Sequence, residues 1–191
     1  MECRSKGLFL PWICLVAIVL YAGIALAQRF DTASRPLLAK QLSIALNDRV
    51  EIESVRQLGP LALVELNHPM RANNNKHWVV LNGMPPLVDA ETEVGKTKAD
   101  WNEDYIAIHR SHPKASIFPT VLFLRTDKMS DQQTRLVFIA PIVDGCHAGD
   151  IVGVAYYALD FDRSGKFLAT RIVKIAPGNE QLWFREVHGS R

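Results

Sequence analysis

The run Asp144-Gly145-Cys146-His147-Ala148-Gly149-Asp150 places a thiol, an imidazole and two carboxylates within a few residues of one another. Gly145 and Gly149 let the backbone turn sharply there and present the reactive groups outward. A cysteine nucleophile needs a base within hydrogen-bond reach, and successive side chains of an extended chain point to opposite sides. His147 is therefore a poor base for Cys146, and the fold would have to bring His109 or His112 to it. Cys146, His147 and His109 are the catalytic candidates on these grounds.

His109-Arg110-Ser111-His112 spaces two imidazoles three residues apart, and with Cys146 or His147 they would complete a tetrahedral zinc set. Zinc histidines on a helix are usually four apart, and Pro113 ends this helix. The reading is two surface histidines at a helix C-terminus, where positive charge is favourable. Asp160-x-Asp162-x-Ser164-Gly165 opens like a calcium loop, but its twelfth position, which should supply a bidentate glutamate, is Arg171. A hairpin turn with Gly165 at positive φ is expected instead. No metal and no cofactor is expected. With no complete catalytic set, recognition is assigned to Asp144, Gly145, Cys146, His147 and Asp150, because polar loops at sheet ends often carry sites on a rigid scaffold.

These groups need elements to position them. Pro36 to Asn47 has apolar residues near helical spacing, with a proline suited to a first turn and an asparagine to a stop. Val50–Val55 and Leu61–Leu66 flank Gln57-Leu58-Gly59-Pro60 as a hairpin, and His77–Leu81 is a third strand. Asp89–Asp100 reads as a surface connection. A second helix carries Trp101, Tyr105, Ile106 and Ile108, capped by Asp100 or Thr97. Pro119–Leu124 reads as a buried strand and Thr126–Thr134 as a polar hairpin loop.

The stretch from Thr134 to Ile175 then holds three apolar runs. Leu136–Val143 contains Pro141, which argues for an edge, a bulge or a strand end. Ile151–Leu159 is apolar on both faces and so central. Phe167–Ile175 has one wet face, with Phe167, Ala169, Val173 and Ile175 inward. Gln181–Val187 is taken as a last strand. The fold class is α+β: two helices packed on antiparallel sheet or sheets, with a C-terminal β-meander. Residues 28–191 form the domain, as one unit or as two stacked units over 34–88 and 98–190.

Arg4 and Lys6 precede an apolar stretch from Leu8 to Ala27 that ends in Ala25-Leu26-Ala27 before Gln28. This is the layout of a secretory signal peptide cleaved after Ala27, the alternative being an uncleaved anchor over residues 8–27. Export would remove Cys3 and Cys14 and leave Cys146 alone in an oxidising compartment, so no internal disulfide can support the core. The formal net charge of +2 gives no electrostatic case for nucleic acid, and the membrane enters only through an uncleaved leader. The expectation is an exported, periplasmic or secreted, non-catalytic protein that binds a protein or small ligand or assists envelope assembly. The alternative is a small exported thiol- or metal-dependent enzyme centred on Cys146 and His147 with His109 and His112.

Overall fold

A computed structural model describes residues 35–71, 76–82, 87–129, 133–145 and 149–188. The apolar leader, the Asn73–Asn75 tract, Cys146 and His147 lie outside them, so the expectations placed there stand as expectations. No helix among the described residues is long and apolar enough to cross a membrane.

The chain is mixed α+β, built from two antiparallel sheets. Helix α1 (Arg35–Ala45) leads into strands β1 (Glu51–Leu58), β2 (Leu61–Asn67), β3 (Lys76–Leu81) and β4 (Leu87–Asp89), which pair in that order. Helices α2 (Ala90–Gly95) and α3 (Glu103–Ser111) follow. The second sheet contains β5 (Ala115–Ile117), β6 (Leu122–Lys128), β7 (Thr134–Asp144), β8 (Asp150–Phe161) and β9 (Phe167–Pro177), and helix α4 (Glu180–His188) closes the described chain. β7, β8 and β9 form the expected meander, while β5 and β6 share the other edge of β7.

Period-2 alternation sorts each strand's side chains between two faces. Leu61, Leu63, Trp78 and Val80 of the first sheet meet Leu136, Phe138, Ala155, Tyr157, Leu159 and Phe161 of the second in one core. Ala90, Val94, Tyr105 and Ile108 of α2 and α3 join that same core. On the opposite face of the first sheet, Leu42 of α1 packs with Val64, Leu66 and Val79. On the opposite face of the second, Leu182, Trp183 and Val187 of α4 pack against Ile139, Val154 and Tyr156. The result is a helix–sheet–sheet–helix stack, with α2 and α3 bridging into its centre.

The stop at Asn47 is confirmed, with φ 50° just past α1, where asparagine tolerates a left-handed backbone. The Gly165 turn is likewise as expected, at φ 83° between the antiparallel pair β8 and β9. Pro141 sits inside β7. Its carbonyl accepts from Phe118 N–H at 2.9 Å, so its polar side faces the gap between β5 and β6, where the missing N–H breaks no ladder bond. A bulge follows at once, between Ile142 and Val143. Gly153 admits α3 to the sheet: a Cβ there would stand 2.9 Å from Ile108 Cδ1.

Several expectations are corrected. Four helices are described rather than two. Gln181–Val187 lies in helix α4, because Leu182, Trp183 and Val187 share one helical face and Asn179 caps the start by accepting from Gln181 N–H at 3.1 Å. Asp89–Asp100 contains α2, capped by Asp89 itself. The cap of α3 is Asn102, which accepts from Tyr105 N–H at 3.1 Å, and Trp101 is left outside the helix and exposed. β6 is a half-exposed edge strand shifted toward Lys128, not a buried one. In β9 the bulges opposite Tyr156/Tyr157 and Asp160/Phe161 rotate the inward set, burying Ile172 and Ile175 and leaving Val173 exposed.

Candidate functional site

Asp144 closes β7 and Asp150 opens β8, and the two are paired across the ladder. Gly145 takes φ 97° and donates its N–H to the Lys114 carbonyl at 3.2 Å. A φ of that sign is one that glycine adopts without steric cost. His112, the C-cap of α3, lies beside it: its Nδ1 is 3.1 Å from Asp144 Oδ2. His109, one turn earlier, instead meets the Tyr105 ring edge-on at 4.8 Å between centroids. The fold thus brings His112, but not His109, to the Asp144 end of the loop. Among the described residues no group of three or more histidine, cysteine, aspartate or glutamate side chains is arranged to hold a metal.

Two hollows flank this end of the second sheet. A cleft of about 830 Å³ runs over Phe118, Thr120, Pro141, Val143, Asp150 and Glu180. A smaller one of about 470 Å³ is lined by Ala107, Ser111, His112, Val152 and Pro177. They share Ile151 and Asn179. Apolar walls contributed by strands and polar groups contributed by a helix start and a loop are the usual make-up of a binding concavity. Each element arrives there for a local reason: β8 begins at Asp150, α4 begins where Asn179 caps it, and α3 ends at His112.

The first sheet holds a polar chain that the sequence reading missed. Asp48 Oδ2 lies 2.7 Å from His68 Nδ1, His68 Nε2 lies 2.8 Å from His77 Nδ1, and His77 Nε2 lies 2.8 Å from Asp89 Oδ1. Both imidazoles are buried, and they stack with centroids 5.1 Å apart. Asp89 Oδ1 also accepts from Thr92 N–H at 3.1 Å, so one oxygen caps α2 and ends the chain. Arg71 reaches Asp48 at 3.3 Å and Glu91 at 3.9 Å.

The hydrogen bond from His68 is the main cause that holds the Asp48 carboxyl below its ordinary value. Burial pushes the Asp89 carboxyl up, but the bonds from His77 and Thr92 outweigh it and leave it lowered. Burial likewise pushes His68 below the usual histidine value, against the pull of Asp48. A sequence signal existed: His77 shares its strand face with Val79 and Leu81, and His68 continues the alternation of Val64 and Leu66. Both faces are apolar, so a polar residue in each stripe had to find a partner.

A second buried charge lies on the face of the second sheet that α4 partly covers. Asp160 receives Arg135 Nε at 2.7 Å and Nη2 at 3.3 Å, and Arg171 Nε at 2.9 Å with a further contact from Arg171 Nη2. Burial raises the Asp160 carboxyl, and the two guanidiniums more than reverse that. No family model, curated protein or solved structure matches this chain.

Proposed function

We propose that this chain is an exported, non-catalytic α+β protein that recognises a protein or small ligand at the β7–β8 end of its second sheet. The observation that carries the reading is the pair of hollows that have Ile151 and Asn179 as common walls, next to the Asp144–Asp150 loop. The smaller one is walled largely by apolar groups, and the larger adds Thr120, Asp150 and Glu180. That mixture suits a ligand with an apolar body and a few polar contacts. The leader over residues 1–27 is the support for export.

A photo-crosslinking residue placed at Ile151 or Asn179 in the native host, with Glu51 on the remote β1 edge as control, tests the site. A discrete adduct from the first two positions and none from Glu51 is expected. Equal labelling from all three, or none, would overturn the assignment.

The second reading is a thiol enzyme with His112 as base. One observation favours it: the 3.1 Å contact to Asp144 orients the His112 ring as a carboxylate orients a catalytic imidazole. Cys146→Ser keeps the shape and removes the thiol. On the binding reading that variant complements a deletion strain as the wild type does. Loss of complementation by a folded Cys146→Ser protein would transfer the case to the enzyme.

A further inference from the structure

The buried chain in the first sheet can be counted proton by proton. Each of its three contacts is 2.8 Å or shorter, which is a hydrogen-bond distance and requires one hydrogen apiece. The carboxylates at the ends are acceptors when ionised, so His68 must donate from Nδ1 to Asp48 and His77 from Nε2 to Asp89. The central contact joins His68 Nε2 to His77 Nδ1 and needs one more hydrogen, on either ring. Two neutral imidazoles carry only two ring hydrogens between them, and with both outer bonds made they would set two lone pairs face to face. Two imidazoliums carry four, and would set two N–H groups face to face. Only the state with one neutral and one charged ring satisfies every contact.

We infer that Asp48, His68, His77 and Asp89 form one proton-sharing latch, closed while its two imidazoles hold three protons and opened by gain of a fourth or loss of the third. Two carboxylates and one imidazolium carry a single negative charge between them, and Arg71, 3.3 Å from Asp48, helps keep that carboxylate ionised while opposing a further proton on His68. Glu91 faces the same guanidinium from α2 at 3.9 Å. Lys76, next to His77 in sequence, turns to Glu65 and Glu53 instead. What the latch ties together is the turn after α1 (Asp48), the end of β2 (His68), β3 (His77) and the cap of α2 (Asp89). Opening its central bond separates the Asp48–His68 pair from the His77–Asp89 pair, so the turn after α1 and the cap of α2 are no longer tied to each other.

The sign of the pH dependence follows by linkage. In the unfolded chain both histidines titrate near the ordinary value of about 6.5. Below it the unfolded chain carries one more ring proton than the closed latch, so stability falls as pH falls. Above it the unfolded chain carries one fewer, so stability falls as pH rises. The latch therefore contributes most near pH 6.5, and its effect on the folding equilibrium constant declines by up to about tenfold per pH unit on either side, the slope of one linked proton. The depressed titration of His68 agrees with the acid limb.

Two measurements test this. In protein labelled with ¹⁵N-histidine, the buried pair, recognisable by slow solvent exchange, should show three protonated ring nitrogens out of four near pH 6.5. Two protonated nitrogens at that pH would overturn the proposal without any variant being made. Urea unfolding from pH 5 to pH 9 should show the wild type's advantage over the double variant His68→Asn/His77→Gln peaking near pH 6.5 and shrinking both ways. A flat advantage across that range would mean that the pair is merely packed, and would equally overturn the latch.

Discussion

The Asp160 carboxylate is held by Arg135 on β7 and Arg171 on β9, so one acid on the central strand fastens both neighbours. Its side chain is only 3% exposed, and removing its charge takes from the largely buried Arg135 guanidinium its hydrogen-bonded counter-charge. Asp160→Asn should cost about 2 kcal/mol of stability at pH 7, since the exposed Arg171 loses less than Arg135 does. The folded carboxyl is lowered, so its contribution is present above the ordinary carboxylate value of about 4 and is lost as pH falls through the lower folded value. Urea melts of wild type and variant should therefore differ at pH 7 and draw together only as pH falls below about 4, and a constant gap would refute the charge argument. At this scale the sequence was legible in part. Arg171, whose sign ruled out a calcium loop, is one of the partners that Asp160 takes. Asp162 serves the turn, accepting from Ser164 N–H at 2.8 Å and Lys166 N–H at 2.9 Å. The His68–His77 contact was not legible, because it depends on a hairpin register, Leu66 opposite His77, and on two carboxylates from distant turns.

The hairpin of β8 and β9 is the element that reads most directly from sequence to structure. Gly165 holds φ 83°, a Cβ there would lie 3.0 Å from Leu61 Cδ2, and its carbonyl accepts from Asn82 Nδ2 at 2.7 Å. The turn is thus pinned to the first sheet by a side chain and a close approach as well as by its own dihedrals. Gly165→Val meets both obstacles, since a β-branched residue disfavours that backbone and the Leu61 methyl blocks its Cβ. A loss of at least about 1 kcal/mol is expected from the thermal melt, and an unchanged melt would show that the turn tolerates another conformation. Elsewhere periodicity misled where segments are short. In Gln181–Val187 the apolar residues Leu182 and Phe184 alternate, yet Phe184 is exposed and Trp183 and Val187 face the sheet. A run of that length fits a strand or a helix by pattern alone, and the sheet face awaiting cover decided between them. β6 misled differently: its apolar run reads as buried, but among the described strands it pairs with β7 alone.

The described residues pack into one large core cluster with two smaller clusters on its outer faces, and this bears on whether the two sheets act independently. The first sheet comes from residues 51–89 and the second from residues 115–177, so the chain order alone is compatible with two separate units. The packing argues for joint folding. Leu63 and Trp78 of the first sheet lie in one continuous cluster with Phe138, Tyr157 and Leu159 of the second, and each sheet alone would expose that inner face to water. Burying a large apolar side chain is worth roughly 1.5–3 kcal/mol, so several such residues per sheet far outweigh what a small domain can forgo. Leu63→Ala and Phe138→Ala should each cost about 2–5 kcal/mol, because a close-packed interior closes only partly over the space left behind. More diagnostic is whether the two sheets lose protection together. Amide exchange of β2 in the first sheet and of β8 in the second should report the same opening free energy in wild type and fall together in both variants, as a cooperative unit requires. If Leu63→Ala lowered β2 protection and left β8 protection unchanged, the two sheets would be separate folding units that merely touch.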